Sequence, residues 1–317
     1  MSYDSLNLPM ARYRLVAQAT ERLQLPDYTG SAWRGVLGHA LKAVSCVTHK
    51  PQCEGCLLYR HCVYSYIFET PPPADTEVMR KYNAVPHPFV LIPDPEQATE
   101  RHAGDRLSLD FVLFGTANQH LPYLVYAFEK AGALGLGKAK GRFKVNQLLH
   151  YQQTWQCIYQ AGEGLQAVLP PKMPSIPECP QGEVRLHFHS PLRIRLQGRA
   201  QKSGDLDFYA VFSNLMRRIS LLQQFHAEHP LVLDFKALSE KAKQVSVVSR
   251  ALHWHDWTRY SSRQKTPMNM GGLMGSVSFN GSDLKEFWPI LYLGQFTHAG
   301  KGTSMGLGRF TLEVPEV

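Results

Sequence analysis

The chain has 317 residues, of which 44% are apolar and 19% are charged. This proportion can form a hydrophobic core and argues against wholesale disorder, and the length predicts two domains or one large one. Lys and Arg exceed Asp and Glu by 34 to 26, for a net charge of +8. The excess favours a polyanionic partner such as a nucleic acid, although enzymes of small anionic molecules carry similar charge.

The sequence contains no targeting signal that we recognise. No stretch of about 20 apolar residues is present, so no membrane-spanning helix is expected. The first residues lack a basic flank followed by an apolar stretch and a cleavage site, so no secretion signal is predicted. We therefore expect a cytoplasmic protein whose six cysteines are thiols or metal ligands and not disulfides.

The first predicted elements are a strand within Ala11–Leu25 and an amphipathic helix at about Ser31–Val44. A cysteine-rich segment follows, with Cys46, Cys53, Cys56 and Cys62 within 17 residues. Four thiolates can close a tetrahedral shell around Zn²⁺, which predicts a structural site because no position is left for a reactive water. The spacing also permits an iron–sulfur cluster, four buried free thiols or a redox pair at Cys53 and Cys56.

Two later segments of the chain repeat each other. Leu121–Val145 and Trp288–Leu312 share one offset, 167 residues, which relates Pro122 to Pro289 and Phe143 to Phe310. In each copy a predicted helix begins near the proline, a glycine-rich loop follows, and a strand begins at the phenylalanine. A matched register across helix, loop and strand indicates an internal duplication.

The sequence pattern therefore predicts the order β-α-β-β-α-β for each half, which is the order of the ferredoxin-like unit. Strands Leu107–Phe114 and Leu273–Phe279 precede the repeated helices, and the second half opens with a strand at Glu183–Gln197 and a helix at Asp207–His226. The predicted fold class is α+β, with tandem ferredoxin-like domains. We expect domains at 1–165 and 183–317, a Pro-rich linker at 166–182, and a cysteine insertion at about 45–63.

The loop of the second copy carries four glycines, namely Gly300, Gly302, Gly306 and Gly308. Glycine allows positive φ and close approach of the backbone, and exposed N–H groups in such a loop can bind phosphate. Taken alone, however, the loop is better interpreted as a tight turn between helix and strand. Neither loop has the spacing of a P-loop or of a dinucleotide-binding fingerprint.

Three stretches resemble a known family. Arg259–Gly275 and His298–Phe310 resemble the C-terminal domain of the CRISPR-associated endoribonucleases that process precursor crRNA, which belong to the RAMP superfamily. Tyr28–Val44, followed by the four cysteines, resembles the N-terminal part of a cysteine-containing branch of that family. The resemblance covers nearly the whole chain, and its most specific part is the terminal glycine-rich loop.

The resemblance implies an RAMP fold and metal-independent cleavage within a CRISPR repeat. In that reaction a 2′-OH attacks the adjacent phosphate and leaves a 2′,3′-cyclic phosphate and a 5′-OH. The implied partners are CRISPR repeat RNA, crRNA that is retained for effector assembly, and other CRISPR effector subunits, with no membrane. No cofactor is expected in the chemical step.

The resemblance also points to catalytic candidates. His39 is the first choice, because the family often places a catalytic histidine in the N-terminal helix. Lys42 lies at i+3 on the same helical face and could stabilise the phosphorane, and Tyr28 could orient the scissile group or act as an acid. His298, beside the terminal loop, is the second choice. For both histidines the alternative is a structural role.

Basic side chains near aromatic residues suit a structured or splayed RNA. We predict that RNA is bound by Arg34, Lys138, Lys140, Arg142, Arg193, Arg195, Arg199, Lys202, Arg259, Arg263, Lys301 and Arg309. The alternative is a solvated basic face.

Other functions stay open at this point. A RAMP subunit that binds guide RNA without cutting it would have the same fold and the same loops. A zinc-stabilised scaffold that binds only protein is less consistent with the basic residues. A zinc-dependent hydrolase is disfavoured, because the sequence has no His-Glu-x-x-His motif.

Overall fold

The structure is a computed structural model that describes residues 3–79, 82–95, 98–196, 199–261 and 266–314. The side chains of residues 196, 199, 200, 259–261 and 267 are not among those described. The chain divides into two compact units, one of residues 8–173 and 222–228, the other of residues 1–7, 174–221 and 229–317. The main boundary thus falls inside the segment predicted as a Pro-rich linker. No helix in the described ranges is long and apolar enough to cross a membrane.

The N-terminal unit is built on a sheet and two long helices. The helices are α1 (Gly30–Ser45) and α2 (Leu121–Leu134). The strands are β1 (Met10–Ala19), β2 (Leu23–Gln24), β3 (Phe89–Pro93), β4 (Glu100–Arg101), β5 (Arg106–Phe114), β6 (Phe143–Gln152), β7 (Thr154–Gln160) and β8 (Gly164–Leu165). A π-helical turn at Ser65–Glu69 and a 3-10 helix at Gly115–His120 lie between them.

The main sheet of this unit has the strand order β3-β5-β1-β6-β7-β8, with all neighbours antiparallel. The first four strands follow the ferredoxin-like order, in which the first strand lies between the third and the fourth. Antiparallel pairing aligns Tyr13 with Phe111 and with His150. The hairpin of β6 and β7 extends the sheet beyond the predicted unit.

Alternation along the strands explains which face is covered. Tyr13, Leu15 and Ala17 of β1 are buried in one core together with Trp33 and Leu37 of α1. Side chains two residues apart share a face, so this face of the sheet is the one that the helices cover. Arg12 and Arg14 lie on the opposite face.

The C-terminal unit repeats this plan. Its helices are α3 (Phe208–His226), of which residues 222–226 are counted with the N-terminal unit, α4 (Phe235–Ala242), α5 (Gly281–Leu284) and α6 (Trp288–Thr297). Its strands are β9 (Glu183–Leu192), β10 (Arg195–Leu196), β11 (Arg199–Ala200), β12 (Val247–His255), β13 (Thr258–Ser261), β14 (Thr266–Asn269), β15 (Gly272–Asn280) and β16 (Phe310–Glu313).

The sheet order β12-β15-β9-β16 is again ferredoxin-like. Its core contains the buried rings of Phe188, Phe208, Phe212, Phe279 and Phe310. The prediction of tandem ferredoxin-like domains is therefore confirmed. The predicted helices agree with α1 and α3 to within one residue at each end.

The duplicated segments differ in one respect. Helix α2 has 14 residues and α6 has 10, although both begin at matching positions. Gly135 follows the first helix with φ 83° and ψ 154°, and His298 follows the second with φ 59° and ψ 161°. The structural counterpart of Gly135 is thus His298 and not Gly302, because the second helix ends one turn earlier and its loop is longer.

Candidate functional site

Helix α1 presents one exposed stripe. Gly35, His39 and Ala43 are the exposed residues at a spacing of four, and Trp33, Leu37 and Leu41 are buried on the other side. Residues four apart lie on one face of a helix. The imidazole of His39 therefore stands between two residues with little or no side chain, which leaves it accessible to a bulky ligand.

Two glycines, Gly35 and Gly38, precede His39 in α1 and differ in how closely other side chains approach them. A Cβ atom added to Gly38 would lie 2.8 Å from Cε1 of Phe68, so packing within the protein requires this glycine. A Cβ atom added to Gly35 would meet nothing within 4 Å. Since glycine costs about 1 kcal/mol in a helix relative to alanine, Gly35 has a cost that no contact in the described chain explains.

The amino end of α1 holds Tyr28, which is half-buried in the turn before the helix. Thr29 takes the N-cap position without a capping hydrogen bond from its side chain. The structure thus places Tyr28 and His39 at different heights along the same helix, with Tyr28 before its first turn and His39 in its second half.

Lys42 points toward the cysteine-rich segment. Its ammonium donates a hydrogen bond to the carbonyl oxygen of Pro51 at 2.8 Å. It also lies 5.6 Å from the centre of the Tyr64 ring, a cation–π distance. One of the three donors of the ammonium is therefore used within the protein.

Arg34 belongs to a second local network. Its guanidinium contacts Nε2 of His87 at 3.3 Å and lies 5.1 Å from the centre of the Phe68 ring. Nδ1 of His87 in turn contacts the hydroxyl of Thr70 at 2.7 Å. This arrangement holds Arg34 against the segment that follows the cysteines.

His298 is completely buried, with 0% of its surface exposed. Burial, together with the nearby charge of Arg218, lowers the pKa of His298 to about 3. Nε of Arg218 donates to the carbonyl oxygen of Thr297 at 2.7 Å. His298 is therefore neutral near pH 7 and offers no atom to a ligand at the surface, so His39 is the stronger of the two histidine candidates.

The glycine-rich loop is packed against its own unit. Backbone N–H groups at Gly300, Lys301, Met305, Gly306, Leu307, Gly308 and Arg309 all donate to acceptors inside the protein. Among those acceptors are Asn214, Pro191 and Ser190. Most of the N–H groups predicted to bind phosphate are therefore engaged in the fold, and the tight-turn alternative describes the loop better.

The loop still presents basic side chains. Lys301 is exposed and Arg309 is half-buried. In the first copy, Lys138 and Lys140 are exposed, whereas the guanidinium of Arg142 forms an ion pair with Glu21 at 2.6 Å. The hydrogen bond from Arg142 lowers the pKa of Glu21. Two lysines of this loop are thus more available to an anionic ligand than its arginine.

The remaining predicted basic residues differ in exposure. Arg195 and Lys202 are exposed, and Arg193 is half-buried with its guanidinium 3.1 Å from the sulfur of Met270. Arg263 lies outside the described residues, and so do the side chains of Arg199 and Arg259.

Two polar clusters were not predicted from the sequence. On β9, His187 and His189 have ring centres 4.7 Å apart, and Nε2 of His189 contacts the hydroxyl of Thr311 at 2.8 Å. In the N-terminal sheet, Arg12 and Arg14 bind Asp110, and Arg14 lies 4.3 Å from the Trp155 ring. The alternation of polar residues on β1 and β9 is the signal that could have revealed both.

The four cysteines of the insertion line one cavity of about 180 Å³. The hydroxyl of Thr48 lies 3.5 Å from the sulfur of Cys56 and 3.8 Å from that of Cys46. The hydrogen bond with Thr48 lowers the pKa of Cys56. Across the described ranges, no three His, Cys, Asp or Glu side chains are arranged as a closed ligand set.

Comparison with known families decides the identity. The model of the family "CRISPR-associated endoribonuclease Cas6" matches residues 186–310, and a model described as an N-terminal domain matches residues 8–172. Residues 186–310 therefore form a Cas6-family domain. No curated protein matches this chain.

Solved structures show the same fold at low identity. A Cas6 product complex matches with a TM-score of 0.57 and 16% identity, covering 96% of this chain and 100% of the other. Cas6 of Thermus thermophilus matches with a TM-score of 0.53 and 16% identity, covering 96% and 99%. A partial Cas6-RT-Cas1–Cas2 complex matches with a TM-score of 0.58 and 12% identity, covering 96% and 46%. The fold of this chain is therefore the fold of these Cas6 structures.

Proposed function

We propose that this protein binds CRISPR repeat RNA and cleaves precursor crRNA within the repeat. The observation that carries the proposal is the position of His39 on the exposed stripe of α1, between Gly35 and Ala43. The match of residues 186–310 to an endoribonuclease family supports the reaction class, and the exposed histidine supplies a group that can transfer a proton.

The chemistry that we propose needs no metal ion. The 2′-OH before the scissile bond attacks the adjacent phosphorus, the bond to the 5′ oxygen breaks, and a 2′,3′-cyclic phosphate and a 5′-OH result. One group must accept the 2′-OH proton and another must protonate the leaving oxygen. An imidazole nitrogen can accept or donate a proton, so His39 can serve either step, and such a group contributes about 10²–10⁴-fold.

Tyr28 and Lys42 have supporting roles in this proposal. Tyr28 orients the phosphate or donates a proton from the turn before α1. Lys42 contributes positive charge one turn after His39 while its hydrogen bond to Pro51 fixes the side chain. Positioning of the attacking oxygen in line with the leaving oxygen adds to the rate independently of proton transfer.

The net charge of +8 and the exposed lysines support RNA as the ligand. Lys138, Lys140 and Lys301 are exposed in the two repeated loops and can contact phosphates. The missing side chain at Gly35 allows the RNA backbone to approach α1 closely. We also propose that the cleaved RNA stays bound, since one structural neighbour is a Cas6 product complex.

Partners beyond RNA are a further part of the proposal. One similar structure is a Cas6-RT-Cas1–Cas2 complex, and association with other CRISPR proteins is proposed for this chain by analogy. Co-purification of the chain with co-expressed CRISPR proteins, before and after RNase treatment, separates direct association from association through RNA.

The experiment uses an end-labelled RNA that carries one CRISPR repeat, in EDTA, with wild type, His39→Ala and His102→Ala. His102 is a matched control because its side chain is also exposed, with 71% accessible surface. We expect wild type and the control to leave a cyclic-phosphate end, and His39→Ala to bind RNA but cut it about 10²–10⁴-fold more slowly.

Two results would count against the proposal. If wild type binds the repeat tightly and leaves it intact, the protein is a non-catalytic RNA-binding subunit. If a 2′-deoxy substitution before the scissile bond leaves cleavage unchanged, the attacking group is not the 2′-OH. Equal loss of cleavage in both histidine variants would point to unfolding and not to catalysis.

A further inference from the structure

The cysteine segment, residues 46–62, has no hydrophobic core of its own. All 17 of its residues are described, and none of them is buried. Leu57 is 95% exposed and Val47 is 72% exposed. The least exposed residues of the segment are Tyr59 and the four cysteines, Cys46, Cys53, Cys56 and Cys62.

Local turns set the path of this segment. The N–H of Cys56 donates to the carbonyl of Cys53 at 3.0 Å, and Gly55 between them has φ 73°. The N–H of Cys62 donates to the carbonyl of Leu58 at 2.8 Å. A segment that buries no apolar side chain gains little from the hydrophobic effect, so its fold needs another source of stability.

The cysteines are placed to supply that stability. Side chains of all four line the same cavity, and the hydroxyl of Thr48 contacts two of the sulfurs. In the described part of the chain the sulfurs do not form a closed ligand set. A cysteine side chain can change between staggered χ1 rotamers, and none of residues 46–62 is part of the buried core.

We propose that Cys46, Cys53, Cys56 and Cys62 bind one Zn²⁺ as a tetrathiolate site, and that the metal takes the place of a hydrophobic core for residues 46–62. Four thiolates satisfy the tetrahedral preference of Zn²⁺, and the Cys53-x-x-Cys56 turn supplies two ligands from one short loop. The site is structural, because no position is left for a reactive water.

The site has a consequence for helix α1. Cys46 takes the C-cap position of α1, with its N–H donating to the carbonyl of Lys42 at 2.9 Å. The ammonium of Lys42 donates to Pro51 inside the same segment. Bound metal therefore fixes the last turn of the helix that carries His39. This link to catalysis rests on the proposed function, whereas the metal site does not.

The first test is the metal content of the full-length chain, purified without added chelator and measured by mass spectrometry. We expect about one zinc per chain in wild type, and loss of the zinc in Cys53→Ser and in Cys62→Ser. Cys157→Ser and Cys179→Ser are matched controls that keep the zinc, since these half-buried cysteines lie outside the segment, on β7 and before β9.

The second test separates metal binding from folding. Cobalt(II) added to the metal-free wild type should give the intense thiolate-to-metal absorption of a tetrahedral thiolate site, with saturation at one equivalent. Limited proteolysis should cut the metal-free chain within residues 46–62 while the rest of the chain stays intact. Both readouts are independent of RNA cleavage, so a failed cleavage experiment would leave them interpretable.

Three outcomes would overturn the proposal. Wild type could contain no zinc and bind no cobalt after reduction. Iron with inorganic sulfide could be found, which would make the site an iron–sulfur cluster. Titration of the denatured, unreduced chain could count two fewer thiols than the six cysteines, which would indicate a disulfide in place of metal ligands.

Discussion

Gly38 packs directly against Phe68, at a distance that excludes even a methyl group, because an added Cβ atom would lie 2.8 Å from Cε1 of the ring. Gly35 lies about one turn earlier on the same helix. A Cβ atom added to Gly35 would have no other atom within 4 Å. Both residues weaken α1, yet only Gly38 is required by packing. From this difference we propose that Gly35 leaves room for a ligand that approaches α1 from outside.

The variant Gly35→Ala should therefore be more stable than wild type and less active. Alanine favours the helix by about 1 kcal/mol, so the free energy of unfolding should rise by a similar amount. The added methyl group would stand beside His39, where it obstructs the RNA backbone, and RNA affinity or cleavage should fall. Chemical denaturation and a single-turnover cleavage assay measure the two effects separately.

Gly38→Ala is the matched control, because it places the same methyl group on the buried side of α1. Its contact with Phe68 should lower the free energy of unfolding, by about 1–3 kcal/mol for an overpacked site. If Gly35→Ala is stabilised and keeps full activity, the glycine has no role in RNA approach.

The sequence allowed the repeated architecture to be predicted because its signals are local. Periodicity placed α1 and α3, and the constant offset between Phe143 and Phe310 revealed the duplication. Strand β3 (Phe89–Pro93) was not predicted, since a short apolar run between prolines does not distinguish a strand from a loop. Its pairing with β5 is a long-range contact.

The hydrogen bonds of the terminal loop could not be predicted from the local sequence. Four glycines in a basic loop allowed either open N–H groups or a tight turn. The N–H groups of Gly300, Gly308 and Arg309 donate to Asn214, Pro191 and Ser190, far away in the sequence. The burial of His298 could not be predicted either, because it depends on helix α6 ending one turn earlier than its counterpart α2. Tertiary packing decided both features.

Gly308→Ala should destabilise the protein strongly. Gly308 has φ 67°, and an added Cβ atom would lie 1.7 Å from the carbonyl oxygen of Ala299. A left-handed backbone costs about 1–3 kcal/mol for other residues, and the contact with a backbone oxygen adds to it. We expect a loss of more than about 2 kcal/mol in chemical denaturation, compared with little change for Gly204→Ala, which meets nothing within 4 Å. A Gly308→Ala chain of normal stability that fails to bind RNA would instead show that the loop backbone contacts the ligand.

The two exposed lysines of the first loop should matter more for RNA binding than the neighbouring arginine. Lys138 and Lys140 are exposed, whereas Arg142 is paired with Glu21. Replacing either lysine by alanine should reduce the slope of log affinity against log salt by about 0.7–0.9, the value for one lost phosphate contact. Arg142→Ala should change the slope less. The measurement is a salt titration of repeat RNA binding, and equal slopes for all variants would place this loop outside the RNA-binding surface.

The burial of His298 should make stability depend on pH. Its pKa is about 3 in the folded chain and near 6.5 in the unfolded chain, so below pH 6.5 the unfolded chain binds the proton first. The contribution of neutral His298 to the free energy of unfolding is fully present above about pH 7. It falls as the pH drops toward 3, by up to about 1.4 kcal/mol per pH unit. Burial also lowers the pKa of His120, His150 and His189, so the informative quantity is the difference between wild type and a variant.

The variant for this comparison is His298→Asn, because the asparagine side chain does not titrate and is smaller than imidazole, so it adds neither a charge nor bulk at this buried position. Denaturation from pH 7 to pH 4 should show a smaller loss of stability per pH unit in His298→Asn than in wild type. If the free energy of unfolding falls equally with pH in both proteins, the imidazole has access to solvent or to a proton acceptor in the folded chain. Since the ring has no exposed surface, the variant should also cleave repeat RNA at the wild-type rate at pH 7. A loss of about 100-fold or more in a folded His298→Asn protein would instead give this histidine the catalytic role that its burial argues against.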